Sequence, residues 1–201
     1  MNHIFKLTLF ILAVTFFQSC KKDDDLVPPE EDYSFFLNTS EYVFRGTLPD
    51  SSVLWKYGIY DFQRGASSIP VGSGELPQKS LSFDLVSNRD LSTRIDITTP
   101  SYDVQSGELF SKTIAEGEKE IGGRYDKFEL ALTLNKKLFT TNGDQTNSML
   151  KVLKTEKTKD EFDRDVVLVW FKINCTFYST VDTSSFVLKD GYLLAGFMYN
   201  L

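Results

Sequence analysis

Val166-Val167-Leu168-Val169-Trp170-Phe171-Lys172-Ile173-Asn174-Cys175-Thr176-Phe177-Tyr178 is the stretch whose reading decides the fold. β-branched and aromatic side chains dominate it, and these pack well on a pleated surface while losing rotamer freedom in a helix. Its first residues are apolar at every position. Both faces of this strand are therefore expected to be covered, which places it centrally in a sheet. The rest of the chain alternates in twos. Phe128, Leu130, Leu132 and Leu134 face one way while Glu129, Ala131 and Thr133 face the other, the pattern of a half-buried strand. Leu81, Phe83 and Leu85 repeat it, as do Val53, Trp55, Tyr57 and Ile59; Ile95 and Ile97 mark a shorter one, and Met149 to Lys154 another.

Turn chemistry divides these runs. Lys189-Asp190-Gly191 separates Phe186–Leu188 from Tyr192–Tyr199; Asp-Gly between apolar runs predicts a hairpin, because a type I′ turn needs positive φ. Asn38-Thr39-Ser40 predicts a second hairpin between Tyr33–Leu37 and Tyr42–Arg45. Loops are expected at 46–52, 64–79, 87–92, 99–107, 140–146 and 155–165. The segment 111–125 suits a helical turn or a loop, and its three glycines favour loop. About nine or ten short strands with turns between them predict an all-β fold: a single antiparallel β-sandwich, with a barrel as the second arrangement.

The front of the chain has a different character. Lys6 gives a positive start, Leu7 to Phe17 an apolar run, and Phe17-Gln18-Ser19-Cys20 follows. The run has the length of a signal peptide and is too short to span a bilayer. Ser before Cys at its end resembles the lipobox of bacterial lipoproteins, with Phe17 where that box more often has Leu. The resemblance implies cleavage after Ser19 and lipidation of Cys20. Two or more acyl chains hold a protein stably at a membrane, at roughly 0.8 kcal/mol per buried CH₂. Lys21-Lys22-Asp23-Asp24-Asp25 then resembles the surface-export signal of Bacteroidota-type lipoproteins. It implies an outer-membrane, lipid-anchored protein at the cell surface, with the periplasm-facing leaflet as alternative. Leu26 to Asp32 continues a charged, Pro-containing tether, whose twelve residues after Cys20 reach at most about 40 Å. The expected organisation is signal peptide 1–19, lipidated Cys and tether 20–32, and β domain 33–201.

Composition excludes several partners and chemistries. Cleavage leaves 182 residues with 21 basic and 28 acidic side chains. A chain of net charge near −7 is a poor partner for phosphate backbones, so nucleic acid is not expected. His3 is the one histidine of the sequence and leaves with the signal peptide. A mature domain without imidazole has no Ser-His-Asp or Cys-His machinery and no His-bearing zinc site. With Cys20 acylated, Cys175 stands alone and reads as a small buried hydrophobe. Gly72-Ser73-Gly74 fails as a phosphate loop, since Pro77 stands where a third Gly belongs.

Carboxylates and aromatics remain. Asp160, Glu161, Asp163 and Asp165 cluster before the long strand, and Asp160, Asp163 and Asp165 are candidate oxygen ligands for Ca²⁺. Lys157, Lys159 and Arg164 interleave with them, as in a solvated loop. No other cofactor is expected. Trp55, Tyr60 and Tyr102 are the candidate sugar-stacking residues, with Tyr60 and Tyr102 the expected exposed pair; core packing is the competing reading for Trp55.

The overall plan resembles small uncharacterised Bacteroidota lipoproteins with one all-β domain, on the strength of Phe35-Phe36-Leu37-Asn38, Tyr42-Val43-Phe44 and Cys175-Thr176-Phe177. That resemblance implies location and fold and brings no catalytic residues. The function expected is a non-enzymatic envelope lipoprotein whose β module binds a glycan, peptide or partner protein. The alternative is a structural or accessory subunit of an outer-membrane complex, and the remote alternative a carboxylate-based glycoside hydrolase.

Overall fold

The computed structural model describes residues 32–58, 62–71, 78–89, 91–103, 107–123 and 125–198. The signal peptide, Cys20, nearly all of the tether, and Tyr60 lie outside the described residues. All elements below belong to the compact unit Ser34–Leu201.

The protein is all-β and antiparallel, as its two-residue periodicity requires. Its strands are β1 (Val43–Leu48), β2 (Ser51–Lys56), β3 (Phe62–Val71), β4 (Gln78–Ser87), β5 (Arg94–Thr98), β6 (Tyr102–Asp103), β7 (Gly117–Lys119), β8 (Glu129–Leu134), β9 (Lys137–Thr140), β10 (Met149–Lys159), β11 (Asp165–Ser179) and β12 (Ser185–Met198). Two short helices join them, α1 (Ser34–Leu37) and α2 (Gly107–Thr113). Twelve strands form one hydrogen-bonded sheet in the order β2-β1-β12-β11-β9-β8-β5-β4-β3, with β10 on β11, β7 on β10, and β6 on β4.

β11 is where this sheet forks. Residues Asp165 to Asn174 pair with β10, whereas Tyr178 and Ser179 pair with β9. One flank, β2-β1-β12-β11-β10-β7, therefore curls back over the other, β9-β8-β5-β4-β3, and β12 packs on β3 and β4. The result is a half-barrel in which two layers face each other, as sandwich layers do, across one core. Phe83, Leu85, Ile95, Ile97, Leu130 and Leu132 supply one side; Val169, Phe171, Ile173, Phe177, Leu193 and Phe197 supply the other. The edge strands β2 and β3 are consecutive in sequence and meet at one bridge, Tyr57 to Phe62.

Several local expectations change. Asp190-Gly191 makes no hairpin: β12 runs straight through it. Ile173 pairs with Gly191 and Cys175 with Leu188, so Asn174 faces both Lys189 and Asp190 across a β-bulge. Asp190 takes φ 48° and donates its N–H to Asn174 Oδ1 at 2.8 Å. Positive φ serves a bulge as well as a turn. Ladders to β1 and β11 on both sides hold the chain extended, where a hairpin would have kept fewer partners. The expected front hairpin is also absent. Ser34–Leu37 is a single helical turn, which lets the adjacent Phe35 and Phe36 both reach Tyr192, at ring distances of 5.2 and 5.3 Å. A strand would have sent them to opposite faces.

Three expected loops contain strands instead. β1 and β2 form a hairpin turning at Pro49-Asp50. β3 occupies 62–71 with little apolar alternation, because it is an edge strand held by its ladder to β4; Pro70 is tolerable there. β10 continues to Lys159, and the turn to β11 is confined to Asp160–Arg164. Within 111–125, where loop was favoured, the end of α2 and the strand β7 lie.

Candidate functional site

The residues singled out in the sequence are dispersed. Trp55 is 8% exposed and stacks on Phe62 at 5.4 Å and 14°, with Phe44 at 5.1 Å; its faces are taken by the core. Tyr102, expected exposed, is 9% exposed and packs on Phe110 at 5.3 Å, and burial pushes its hydroxyl pKa up. Tyr57, just beyond the end of β2 at Lys56, is 39% exposed and packs on Tyr42 at 6.1 Å.

Asp160 and Asp163 lie in the β10–β11 turn and Asp165 opens β11, and the three do not converge on one point. Asp160 Oδ1 accepts the N–H groups of Phe162 (2.9 Å) and Arg164 (3.0 Å). Its Oδ2 accepts from Arg164 Nε at 2.8 Å. The Arg164 guanidinium, then these backbone donors, holds the carboxyl down at about 2. Asp163 and Asp165 lie 3.1 and 3.9 Å from Lys159 Nζ. Among the described residues no group of three or more His, Cys, Asp or Glu is arranged to hold a metal. Cys175 is buried, and burial raises its thiol pKa far above the ordinary value.

Two other places gather chemistry, and they share a geometry. Each is an arginine over a pair of aromatic rings set nearly at right angles. Arg64 on β3 lies 4.8 Å from the Tyr42 ring and 5.4 Å from the Tyr57 ring, whose planes meet at 85°. Arg45 on β1 lies 4.4 Å from Phe35 and 5.0 Å from Tyr192, whose planes meet at 79°. Each such contact contributes roughly 0.5–1 kcal/mol at an exposed site.

Their surroundings differ. Arg64 has a side chain only 14% exposed, donates to Tyr42 Oη at 3.2 Å, and forms an ion pair with Glu161 from the β10–β11 turn. Burial pushes the Tyr42 hydroxyl pKa up, against the opposing pull of Arg64. The cleft there is about 300 Å³ and is lined also by Gln63, Phe162 and Met198. Arg45 borders an open groove of about 470 Å³ with Thr47, Ser52, Leu54 and Asp190. Phe35 and Leu54 are half exposed, at 50% and 48%. The Asp190–Gly191 bulge sets this groove: it shifts the pairing of β12 against β1 between Arg45 and Thr47, so that Tyr192 stands opposite Arg45.

A third hollow, about 590 Å³, lies between residues 119–127 and 143–148. Its central amide is committed, since Gln145 Nε2 donates to Thr141 O (3.0 Å) and Thr176 O (2.8 Å).

No family model, curated protein or solved structure matches this chain. Local sequence pattern does not reveal the residues of the Arg45 groove, because Phe35, Arg45 and Tyr192 meet through a helical turn and a bulge whose turn chemistry reads equally as hairpins. Arg45 follows the apolar run Tyr42-Val43-Phe44 at a position that strand alternation sends outward, so by itself it carried no signal of a site.

Proposed function

We propose that this chain is a non-enzymatic lipoprotein of the cell envelope, acylated at Cys20 and tethered to the outer membrane at the cell surface, whose β domain binds a glycan. The observation that carries the binding reading is the open groove at Arg45. It offers the half-exposed ring of Phe35 and the side chain of Leu54 beside the hydroxyls of Thr47 and Ser52 and the carboxylate of Asp190. Apolar faces suit the C–H face of a pyranose, and a few fixed polar groups suit its hydroxyls. The groove is built on paired strands, so its geometry is set before a ligand arrives. Location rests on the sequence of residues 1–32, and the imidazole-free mature domain favours binding over hydrolysis.

The test uses the full chain extracted from membranes in detergent. Retention on one or more polysaccharides of an array, lost in Phe35→Ala, is the expected result. Silence on every glycan, with an envelope protein recovered by cross-linking, would replace this reading with that of a structural subunit. Mass spectrometry of the native amino terminus should find acylated Cys20; an unmodified terminus refutes the anchor.

A further inference from the structure

We infer that the groove at Arg45 recognises a carboxylated sugar, a uronic acid within an acidic polysaccharide, with Arg45 as the residue that reads the carboxylate. This rests on the glycan reading above and adds the ligand's charge.

The chain itself contains the comparison that supports it. Arg64 and Arg45 stand over aromatic pairs of nearly equal geometry. At Arg64 a carboxylate, that of Glu161, completes the group. Arg94 likewise rests on Asp84 and Asp96, and Arg164 on Asp160. The Arg45 guanidinium has its two rings and no carboxylate within ion-pair distance among the described residues. Guanidinium is weakly hydrated and planar, so rings can cover its face while its N–H edge stays available for a bidentate acceptor. An arginine pre-oriented in this way loses little freedom on binding.

Charge selects among anions. The groove holds one cation, Arg45, and one carboxylate, Asp190. A singly charged, planar carboxylate fits that balance. A phosphate dianion would set two charges against one guanidinium with Asp190 close by. The remaining groups fit the rest of a uronic acid: Thr47, Ser52 and Asp190 for hydroxyls, Phe35 and Leu54 for the C–H face.

The experiment measures binding of the detergent-solubilised full chain to polygalacturonate, alginate and hyaluronate, each beside its methyl ester. Esterification keeps the ring and its hydroxyls and removes the charge. At least one acid polymer is expected to bind tenfold or more tighter than its ester at low salt. The preference should shrink at about 0.5 M salt, where the screening length falls to about 4 Å. Arg45→Gln should bring the acid-to-ester ratio close to one. Arg64→Gln should leave the ratio as in the wild type. Equal binding of acid and ester by the wild-type chain overturns the carboxylate assignment and leaves the glycan reading standing. Retention of neutral polysaccharides alone does the same. Binding to no polysaccharide removes both. Binding to poly-glutamate that depends on Arg45, without binding to any uronate polymer, overturns the sugar assignment in favour of an acidic peptide.

Discussion

Arg64 and Arg45 show how one arrangement of three side chains becomes either a fastener or a site. Both guanidiniums lie over perpendicular ring pairs. Arg64 faces inward at the seam where β3 approaches the end of β12, and the β10–β11 turn delivers Glu161 to it. Its hydrogen-bonding edge is used up in tying two parts of the curled sheet together. Arg45 points outward from β1, and no turn among the described residues brings a carboxylate within ion-pair distance of it. What separates them is whether the chain supplies a carboxylate, and that depends on topology more than on the local residues.

The largest effect is expected at the bulge that builds the Arg45 side. A Cβ on Gly191 would stand 2.7 Å from Ile173 O and 2.8 Å from Leu188 Cδ2. The backbone oxygen belongs to a ladder and cannot swing away. Gly191→Ala should cost about 1–3 kcal/mol by denaturant unfolding and displace Tyr192, abolishing ligand retention at the groove. Full stability with intact retention would mean that the bulge does not shape the site.

Next comes the fastener. Arg64→Ala removes two ring contacts, a hydrogen bond to Tyr42 and the partner of a half-exposed glutamate. Because Glu161 keeps access to water, the loss is discounted to about 1–2 kcal/mol. Arg45→Ala loses two ring contacts, to half-exposed Phe35 and to buried Tyr192, and should cost about 1 kcal/mol, less than Arg64→Ala. The contrast is the point of the pair: Arg64 matters to unfolding, Arg45 to binding. A reversal of the two in thermal melts would break it.

Acid should loosen the Arg64 side. Asp160 organises the turn that carries Glu161, and its carboxyl titrates at about 2 against an ordinary 3.8. A depressed folded-state value gives stability that is present above the unfolded pKa and lost as pH falls through the folded one. Melting temperature should therefore decline between about pH 4 and pH 2. Asp160→Asn should flatten that decline, because its side chain no longer titrates. An identical pH profile in the variant would show that the turn is held by other means.

The sequence was most legible where the core forms. Val166–Tyr178, Leu81–Leu85, Ile95–Ile97 and Leu130–Leu134 all lie on strands where alternation or continuous apolarity placed them, because burial on one or two faces writes itself into hydrophobic order. β3 was illegible: an edge strand is held by backbone pairing, which leaves no side-chain signature. Asp190-Gly191 was legible as positive φ but not as a bulge, since the same dipeptide satisfies both and only the neighbouring strands choose. Ser34–Leu37 gave no helical period because one turn is too short to have one. The Arg45 groove depends on these last two features, so local pattern could not assemble it. Trp55 and Tyr102 attracted attention as aromatics, whereas their rings fill the core.

The smallest effect is expected from the acidic turn as a cation site. Asp160 spends both oxygens on the backbone and guanidinium of its own turn, which leaves Asp163 and Asp165 to meet a cation. Lys159 Nζ lies 3.1 and 3.9 Å from them, so a divalent ion would have to displace an ammonium while gaining two side chains open to water. Six to eight oxygens are what Ca²⁺ takes. Addition of about 1 mM Ca²⁺ should therefore leave the melting temperature unchanged, since a ligand that binds only the folded state must raise it. Asp163→Asn should change stability by less than about 0.5 kcal/mol, because Asn tolerates the left-handed backbone seen there, φ 60°. A Ca²⁺-dependent rise of several degrees, lost in Asp163→Asn, would instead make the turn a metal-set device, and the Glu161 clasp on Arg64 would then answer to calcium while Arg45 stayed indifferent to it.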